Sequence, residues 1–404
     1  MTLQPPKSQL FRTLDNIKDL AKDALWGLSS CICKPDSSIK INGRTFKIIK
    51  VLGEGGFSFV YLAQDEASGR EFALKKIRCP TGSDGVKEAM QEVEAYRRFK
   101  HKNIIRILDS AVVQDPEGEG KIVYLFLPLY KRGNFQDAIN AHSAAGTHFS
   151  EKEMLRLFKG ACEAVRAMHQ YRPSARGATQ ARPAARSADP GGEILDHPDH
   201  ADDDGASVPL VAAQTREEGE PIFDEDDDTQ TSALNGDGNT EAGIVPYAHR
   251  DLKPGNVMIA DDGVTSILMD FGSVMKARVA IENRNQALLQ QDIAAEKSTM
   301  AYRAPELFDV KTGVTIDEKV DIWSLGCTLY AMAYLHSPFE NLQTTEQGGS
   351  IAMAVMNAQY KHPQSSYSDG LKKLIDSMLT VDPSKRPDID QVIGMVDRCL
   401  QSAR

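Results

Sequence analysis

Apolar residues recur at spacings of three and four over residues 8–28, where Leu10, Leu14, Ile17, Ala21, Ala24 and Leu28 form a stripe that Phe11, Leu20 and Leu25 widen. That period predicts an amphipathic helix, which Ser29–Lys34 follow and Pro35 closes. Residues 44–60 read as a strand and a glycine-rich turn, and residues 71–78 as a further strand. A helical period returns over 86–99. The apolar run 122–130, β-branched at its start, predicts a buried strand. Residues 151–169 carry Met154, Phe158, Cys162, Val165 and Met168 at helical spacing, the mark of a buried helix. Short strands are predicted at 257–259 and 266–269, and a helix at 285–297 with Ala287, Leu288, Gln291 and Ala295 on one face.

Between 172 and 245 the periodicity fails. This stretch is rich in Ala, Pro, Gly, Asp and Glu, includes ADDDGA and DEDDDT, and has few large apolar residues. It cannot bury enough apolar surface to offset its ordering entropy and is predicted to be a disordered insert. Growing a connecting loop from about 8 to about 80 residues costs only about 2 kcal/mol, at about 0.6 kcal/mol per doubling. Regular patterning resumes near Val245 and holds to about residue 400. One globular unit is expected, split by a long insert and preceded by the amphipathic extension.

Charge sharpens that division. The chain of 404 residues has a formal net charge of −10, yet residues 171–246 hold 17 Asp+Glu against 5 Lys+Arg. The acidity therefore belongs to the insert, the rest is close to neutral, and nothing points to nucleic-acid binding. The six cysteines, Cys31, Cys33, Cys79, Cys162, Cys327 and Cys399, include no C-x-x-C pair and no zinc-ligand spacing, as expected of reduced thiols. No run approaches the roughly 18 apolar residues of a membrane span, and no apolar leader with a cleavage site opens the chain. A chain made and kept on the cytosolic side is expected.

Candidate chemistry centres on HRDLKPGN at 249–256. The spacing lets Asp251 reach a substrate hydroxyl while Asn256, five residues on, holds a metal on nucleotide phosphates. Its partners stand on both sides. GEGGFSFV, from Gly53 to Val60, offers a glycine-rich turn whose N–H groups can approach phosphate oxygens, although the string alone is equally an ordinary turn. Lys75 ends the strand-like FALK fifteen residues after Val60. Glu92, nine residues before His101, is favoured over Glu88 and Glu94 as the anion that holds that lysine. MDFG places Asp270 nineteen residues past Asp251, APE follows at 304–306, and DIWSLG and Arg386 come after. Chance does not put so many partners in one order.

Together these motifs resemble the eukaryotic protein kinases over residues 46–398, apart from the insert. The resemblance implies an α+β, bilobal fold, with a small β-rich N-lobe at 46–127 and a larger helical C-lobe at 128–398, interrupted by 172–245. It implies ATP and Mg²⁺, or Mn²⁺ in its place, as cofactors, with protein Ser/Thr side chains as acceptors. Lys75 would pair the α- and β-phosphates, oriented by Glu92. Asp251 would be the base, and Lys253 would steady the γ-phosphate. Asn256 and Asp270 would hold the metal. Leu52, Gly53, Gly55, Gly56, Val60 and Ala73 would enclose the nucleotide, with Leu127 as gatekeeper and Leu129 and Tyr130 in the adenine hinge. Glu306 would pair with Arg386 in a structural role. DLKPGN in place of DLAARN, and Thr299 ahead of Tyr302, imply Ser/Thr acceptors.

A narrower likeness rests on GEGGFSFVY, FLPLYKRGNF, QALLQQDIAAEKSTMAYRAPELFDV and DIWSLGCTLYAM. These are similar to the Numb-associated kinases, especially the myristoylated and palmitoylated serine/threonine kinase branch and its fungal vacuole-associated relatives. In that branch a serine takes the third glycine position, as Ser58 does here. Thr2 rather than glycine follows Met1, so N-myristoylation is not expected. The likeness implies a peripheral membrane kinase of Golgi or vacuolar trafficking. Residues 1–45 would then be a targeting segment in which helix 8–28 and palmitoylated Cys31 and Cys33 combine two weak anchors. The alternative is a helix that docks on its own kinase domain beside reduced cysteines. A rival function, a catalytically weak pseudokinase scaffold at membranes, is disfavoured because Lys75, Asp251, Asn256 and Asp270 are all present. Arg250 could receive an activation-segment phosphate, but Gly272–Ala304 contain only Ser273, Ser298 and Thr299 as hydroxyl acceptors of that kind. The helix expected at 285–297 could order this segment without phosphorylation.

Overall fold

Strand pairing accounts for the first of two compact units, which lies within Met1–Gly82 and Asp109–Leu129. The computed structural model describes residues 38–54, 58–80, 83–116, 118, 120–173, 243–340 and 350–403. Outside these lie the expected helix 8–28, Cys31, Cys33, Gly55, Gly56 and all but the ends of the insert read at 172–245. The strands are β1 (Ser38–Ile41), β2 (Arg44–Glu54), β3 (Ser58–Asp65), β4 (Glu71–Cys79), β5 (Asp109–Gln114) and β6 (Lys121–Leu127). They form one sheet in the order β1-β2-β3-β4-β6-β5, with every neighbouring pair antiparallel. Its core is an aromatic cluster: Phe46, Phe72 and Phe126 lie with ring centroids 5.2–5.6 Å apart.

The expected strand at 122–130 stops at Leu127. Pro128 explains the end, because it has no N–H for the ladder. β6 reads as a continuous apolar run because Ile122 through Leu127 are all buried.

The second unit comprises Ser83–Leu108 and Tyr130–Arg404. Among the described residues its α-helices are α1 (Ser83–Arg98), α2 (Phe135–Ala145), α3 (Glu151–His169), α4 (Arg284–Lys297), α5 (Lys319–Tyr334), α6 (Ile351–Met356), α7 (Asp369–Met378) and α8 (Ile389–Ser402). α3 has the bounds read from the sequence. Every residue of α5 from Val320 to Tyr334 is buried, so α5 is the core of this unit, and α3 and α7 pack on it. α8 closes the other side of α3. Here β7 (Val257–Ile259) and β8 (Ser266–Leu268) form a small antiparallel hairpin. Among the described residues no helix is long and apolar enough to cross a membrane.

Two local findings differ from the sequence reading. α1 belongs with the larger unit, because Phe99 just past its end meets Tyr171, Tyr247 and Phe271 at ring distances of 5.5, 5.4 and 6.0 Å. The buried face of α4 is Ala287, Gln290 and Ala294, while Leu288 is exposed. A capping box between Asn283 and Gln286 starts that helix.

The chain leaves for the insert and returns at one point. Val245 N–H donates to Tyr171 O at 2.8 Å, and the Tyr171 and Tyr247 rings lie 5.8 Å apart. The Arg98 guanidinium lies 4.8 Å from the Tyr247 ring centroid and donates to that residue's hydroxyl.

Candidate active site

In the first unit, register gathers the expected nucleotide residues on one sheet face. Gly53 pairs with Val60, Val60 with Lys75, and Lys75 with Leu125. Ala73 pairs with Leu127 on the same face, because side chains two apart along a strand point alike. Lys75 is buried to 9% exposure in this row, and Leu127 to 2%. Leu52 stands exposed near the end of β2, and Leu129 follows β6 in irregular chain.

In the second unit, Asp251, Lys253, Asn256 and Thr299 make one closed network. Asp251 Oδ1 accepts from the Thr299 backbone N–H and from its hydroxyl, each at 2.8 Å. Asp251 Oδ2 accepts from Lys253 Nζ at 2.7 Å and from Asn256 Nδ2 at 3.3 Å. Lys253 Nζ also donates to Thr299 Oγ1 at 2.8 Å. The carboxylate is thus oriented from both oxygens and faces a hydroxyl oxygen, the atom type it would serve in a substrate.

The backbone beneath this network is strained and held. Arg250 has φ 67° and Asp270 φ 65°, in the left-handed region that non-glycine residues rarely adopt, at a cost of about 1–3 kcal/mol each. Asp321, fully buried on α5, fixes the first. Its Oδ1 accepts from Arg250 N at 2.9 Å, and its Oδ2 accepts from His249 N at 2.8 Å and meets His169 Nε2 at 3.0 Å. Burial alone would raise the Asp321 carboxyl, but the His169 bond and the charges and N–H groups around it hold it below the usual range. His249 Nδ1 accepts from Asp251 N at 3.4 Å, which leaves Nε2 as the donor to Met269 O at 3.1 Å.

Glu92 and Asp270 converge on Gly272. Glu92 is buried on α1 to 7% exposure. A Cβ placed at Gly272 would be in ordinary van der Waals contact with both carboxylates, 3.5 Å from Glu92 Oε2 and 3.8 Å from Asp270 Oδ1, so the two acids approach one point of the chain. Asp270 N–H donates to Tyr96 Oη at 3.3 Å. Phe271 packs edge-on to Tyr96 at 4.9 Å and lies 5.6 Å from His249, which ties α1, the DFG turn and the catalytic loop into one aromatic stack.

The donor set suits a hard divalent cation. Asn256 donates Nδ2 to Asp251 O at 2.8 Å and to Asp251 Oδ2, which turns its Oδ1 away with no hydrogen bond from the described residues. An amide oxygen and the Asp270 carboxylate are what Mg²⁺ takes when phosphates and water complete its shell.

The Glu306 carboxylate meets Arg386 by two bonds of 2.7 Å, as expected. A protein-kinase domain model matches residues 46–173 and 244–396 of this sequence. The chain belongs to the protein kinase family. A serine/threonine-protein kinase of Schizosaccharomyces pombe named ppk13 is 34% identical over 384 residues, covering 94% of this chain and 98% of its own length. Serine/threonine-protein kinase ENV7 of Saccharomyces cerevisiae is 32% identical, covering 91% of this chain and 95% of its own. Human serine/threonine-protein kinase 16 is also 32% identical, with 92% and 95% covered. The kinase is therefore a protein serine/threonine kinase with a β-rich and a helical lobe, and its acceptors are proteins. These relatives agree with the Numb-associated likeness drawn from its motifs.

Three residues of this site were absent from the sequence's own list. Thr299 was read as a sign of acceptor type and as an activation-segment hydroxyl, yet it touches the base. Asp321 was quoted inside DIWSLG without a role, although a lone carboxylate in an otherwise apolar helix signals a buried polar partner. Gln290 carried no signal, since an amide in a helical segment is ordinary.

Proposed function

We propose that this kinase transfers the γ-phosphate of ATP to serine or threonine hydroxyls of proteins, with Asp251 as the base. The Asp251–Lys253–Thr299 network carries this reading, because it points an acceptor carboxylate and a cation at a hydroxyl together. Asp251 would take up the proton of the attacking hydroxyl while Lys253 neutralises charge beside it. Lys75, oriented by Glu92, would pair the α- and β-phosphates, and the face bearing Val60, Ala73 and Leu127 would receive the adenine ring with Leu52, Leu129 and Tyr130. Gly53, Gly55 and Gly56 would give backbone N–H groups to the phosphates. Asn256 and Asp270 would hold Mg²⁺, which supplies charge neutralisation on the transferring phosphoryl group. On this reading residues 46–127 form the nucleotide lobe and 128–398, interrupted at 172–245, the substrate lobe. Replacing Asp270 with Asn should raise the Mg²⁺ concentration for half-maximal rate by about 10–100-fold, the range for weakened metal sites. An unchanged Mg²⁺ dependence would remove Asp270 from the metal.

We further read residues 1–45 as the anchor of a peripheral kinase on Golgi or vacuolar membranes, with helix 8–28 supplying the reversible contact and acylated Cys31 and Cys33 the durable one. The amphipathic period and the two flanking cysteines support it. Changing Cys31 and Cys33 to Ser should move the full chain from the membrane pellet to the supernatant, and an unaltered distribution would count against acylation.

A further inference from the structure

The chain enters and leaves the insert beside a surface of one charge. Residues 97–108 include Arg97, Arg98, Lys100, Lys102 and Arg106, and no Asp or Glu. Phe99, within this run, touches both ends of the insert, its ring 5.5 Å from that of Tyr171 and 5.4 Å from that of Tyr247. The Arg98 guanidinium lies over the same two rings, 5.9 Å and 4.8 Å from their centroids. Exposed Lys100 and Lys102 come next in sequence after Phe99, and exposed Arg172 follows Tyr171. The carboxylates close by are engaged: Glu163 pairs with Arg166, and Asp390 accepts from Gln170 Nε2 at 2.6 Å. Burial first, then Lys102 and Arg166 against the opposing pull of Glu163, hold the His101 ring below its usual range. Among the described residues no ion pair reaches Lys100, Lys102 or Arg172. Glu94, one turn earlier on α1, is half-buried and does not offset a run of five cations.

The insert carries the opposite charge. Its densest acidic run is DEDDD at 224–228. Asp228 stands fifteen residues before Gly243, where the described chain resumes, and a stretch of that length spans up to about 50 Å. The run can therefore reach the surface around Lys100, Lys102 and Arg172. Because both ends of the insert are fastened at that surface, the run is offered to it at an effective concentration on the order of mM. A separate anionic partner at lower concentration has to displace it.

We propose that the cationic end of α1 is a docking surface for the chain's own acidic run, with Lys100, Lys102 and Arg172 as the counter-charges of residues 224–228. Each exposed ion pair is weak and screened by salt, so the tether rather than any one contact holds the run there. Its presence closes this surface to other anions, a lipid surface included.

The test uses the full chain at low concentration, treated with a carbodiimide that joins touching carboxylates and lysines, and mapped by peptide mass. Lys100 and Lys102 couple to residues 224–228 of the same chain about tenfold more often than exposed Lys361 and Lys373 do. The excess disappears at about 1 M salt, where screening falls to about 3 Å. A second arm measures binding to vesicles of phosphatidylcholine and phosphatidylserine in equal parts. Lys100→Glu with Lys102→Glu leaves wild-type vesicle binding unchanged, because the run already covers those lysines. Neutralising the run, with Asp224→Asn, Glu225→Gln, Asp226→Asn, Asp227→Asn and Asp228→Asn together, strengthens vesicle binding, and adding the two lysine changes removes that gain. Coupling of the run spread evenly over the exposed lysines overturns the proposal. So does coupling between two chains, which makes a second copy the occupant, or loss of wild-type vesicle binding in the lysine variant, which makes it lipid. Neither arm reads phosphate transfer, so failure here leaves the kinase reading untouched.

Discussion

Replacing Asp251 with Asn should lower the rate of phosphate transfer by about 10²–10⁴-fold, the usual contribution of a positioned general base. The change is isosteric but chemically opposite. An amide cannot take up the substrate's proton, and its NH₂ would face the Lys253 ammonium and Asn256 Nδ2, two donors that now find an acceptor at Oδ2. Nucleotide binding should survive, because Asn256 and Asp270 remain and the Arg250 backbone is still held by Asp321. Initial-rate measurement beside an ATP dissociation constant separates these effects. A variant with wild-type rate would dismiss Asp251 as the base, and one that lost ATP binding equally would make its role structural.

The second large effect concerns stability. Arg386→Ala should cost about 3–5 kcal/mol, the penalty for removing one partner of a buried pair. The Arg386 side chain is fully buried. It makes two bonds to Glu306 and one each to Thr380 O at 2.6 Å, Lys319 O at 3.0 Å and Val381 O at 2.9 Å. Its guanidinium also lies 5.2 Å from the Trp323 ring centroid. Truncation therefore strands a carboxylate and three carbonyls at once. Thermal unfolding should fall by on the order of 10 °C for a domain of this size. Arg386→Lys should recover only part of it, since one ammonium cannot serve this fork of acceptors. A shift of a degree or two in Arg386→Ala would show that the pair carries little.

The sequence made the chemistry more legible than the scaffold that aims it. Asp251, Lys253 and Asn256 could be read in HRDLKPGN because that string resembles the kinase catalytic loop. The helix at 151–169 was equally plain, since a buried helix repeats its apolar face. α4 was misread by one position for a physical reason. Period alone grouped Leu288 and Ala295 with Ala287 on one face, yet the buried Arg250 cation needs an acceptor, and that turns Gln290 inward and Leu288 out. A long-range polar demand of this kind leaves no trace in local pattern. The roles of Asp321 and Thr299 were hidden similarly, because each depends on a residue 48 or more positions away. The end of β6 was within reach: Pro128 marks it, and the apolar run through Tyr130 outweighed that signal. The closure of the insert by Tyr171 and Val245 was not, because no sequence rule pairs two residues across a segment of that length.

On the proposed function, Asp251, Lys253 and Thr299 direct phosphate to serine and threonine. The most direct measurement is transfer from ATP labelled in the γ-phosphate to a mixed protein acceptor in Mg²⁺, followed by phosphoamino-acid analysis of wild type and Asp251→Asn in parallel. Wild type should yield phosphoserine and phosphothreonine, Asp251→Asn at least about 10²-fold less of both, and neither protein phosphotyrosine. Equal labelling by the two proteins, or label on tyrosine, would contradict it.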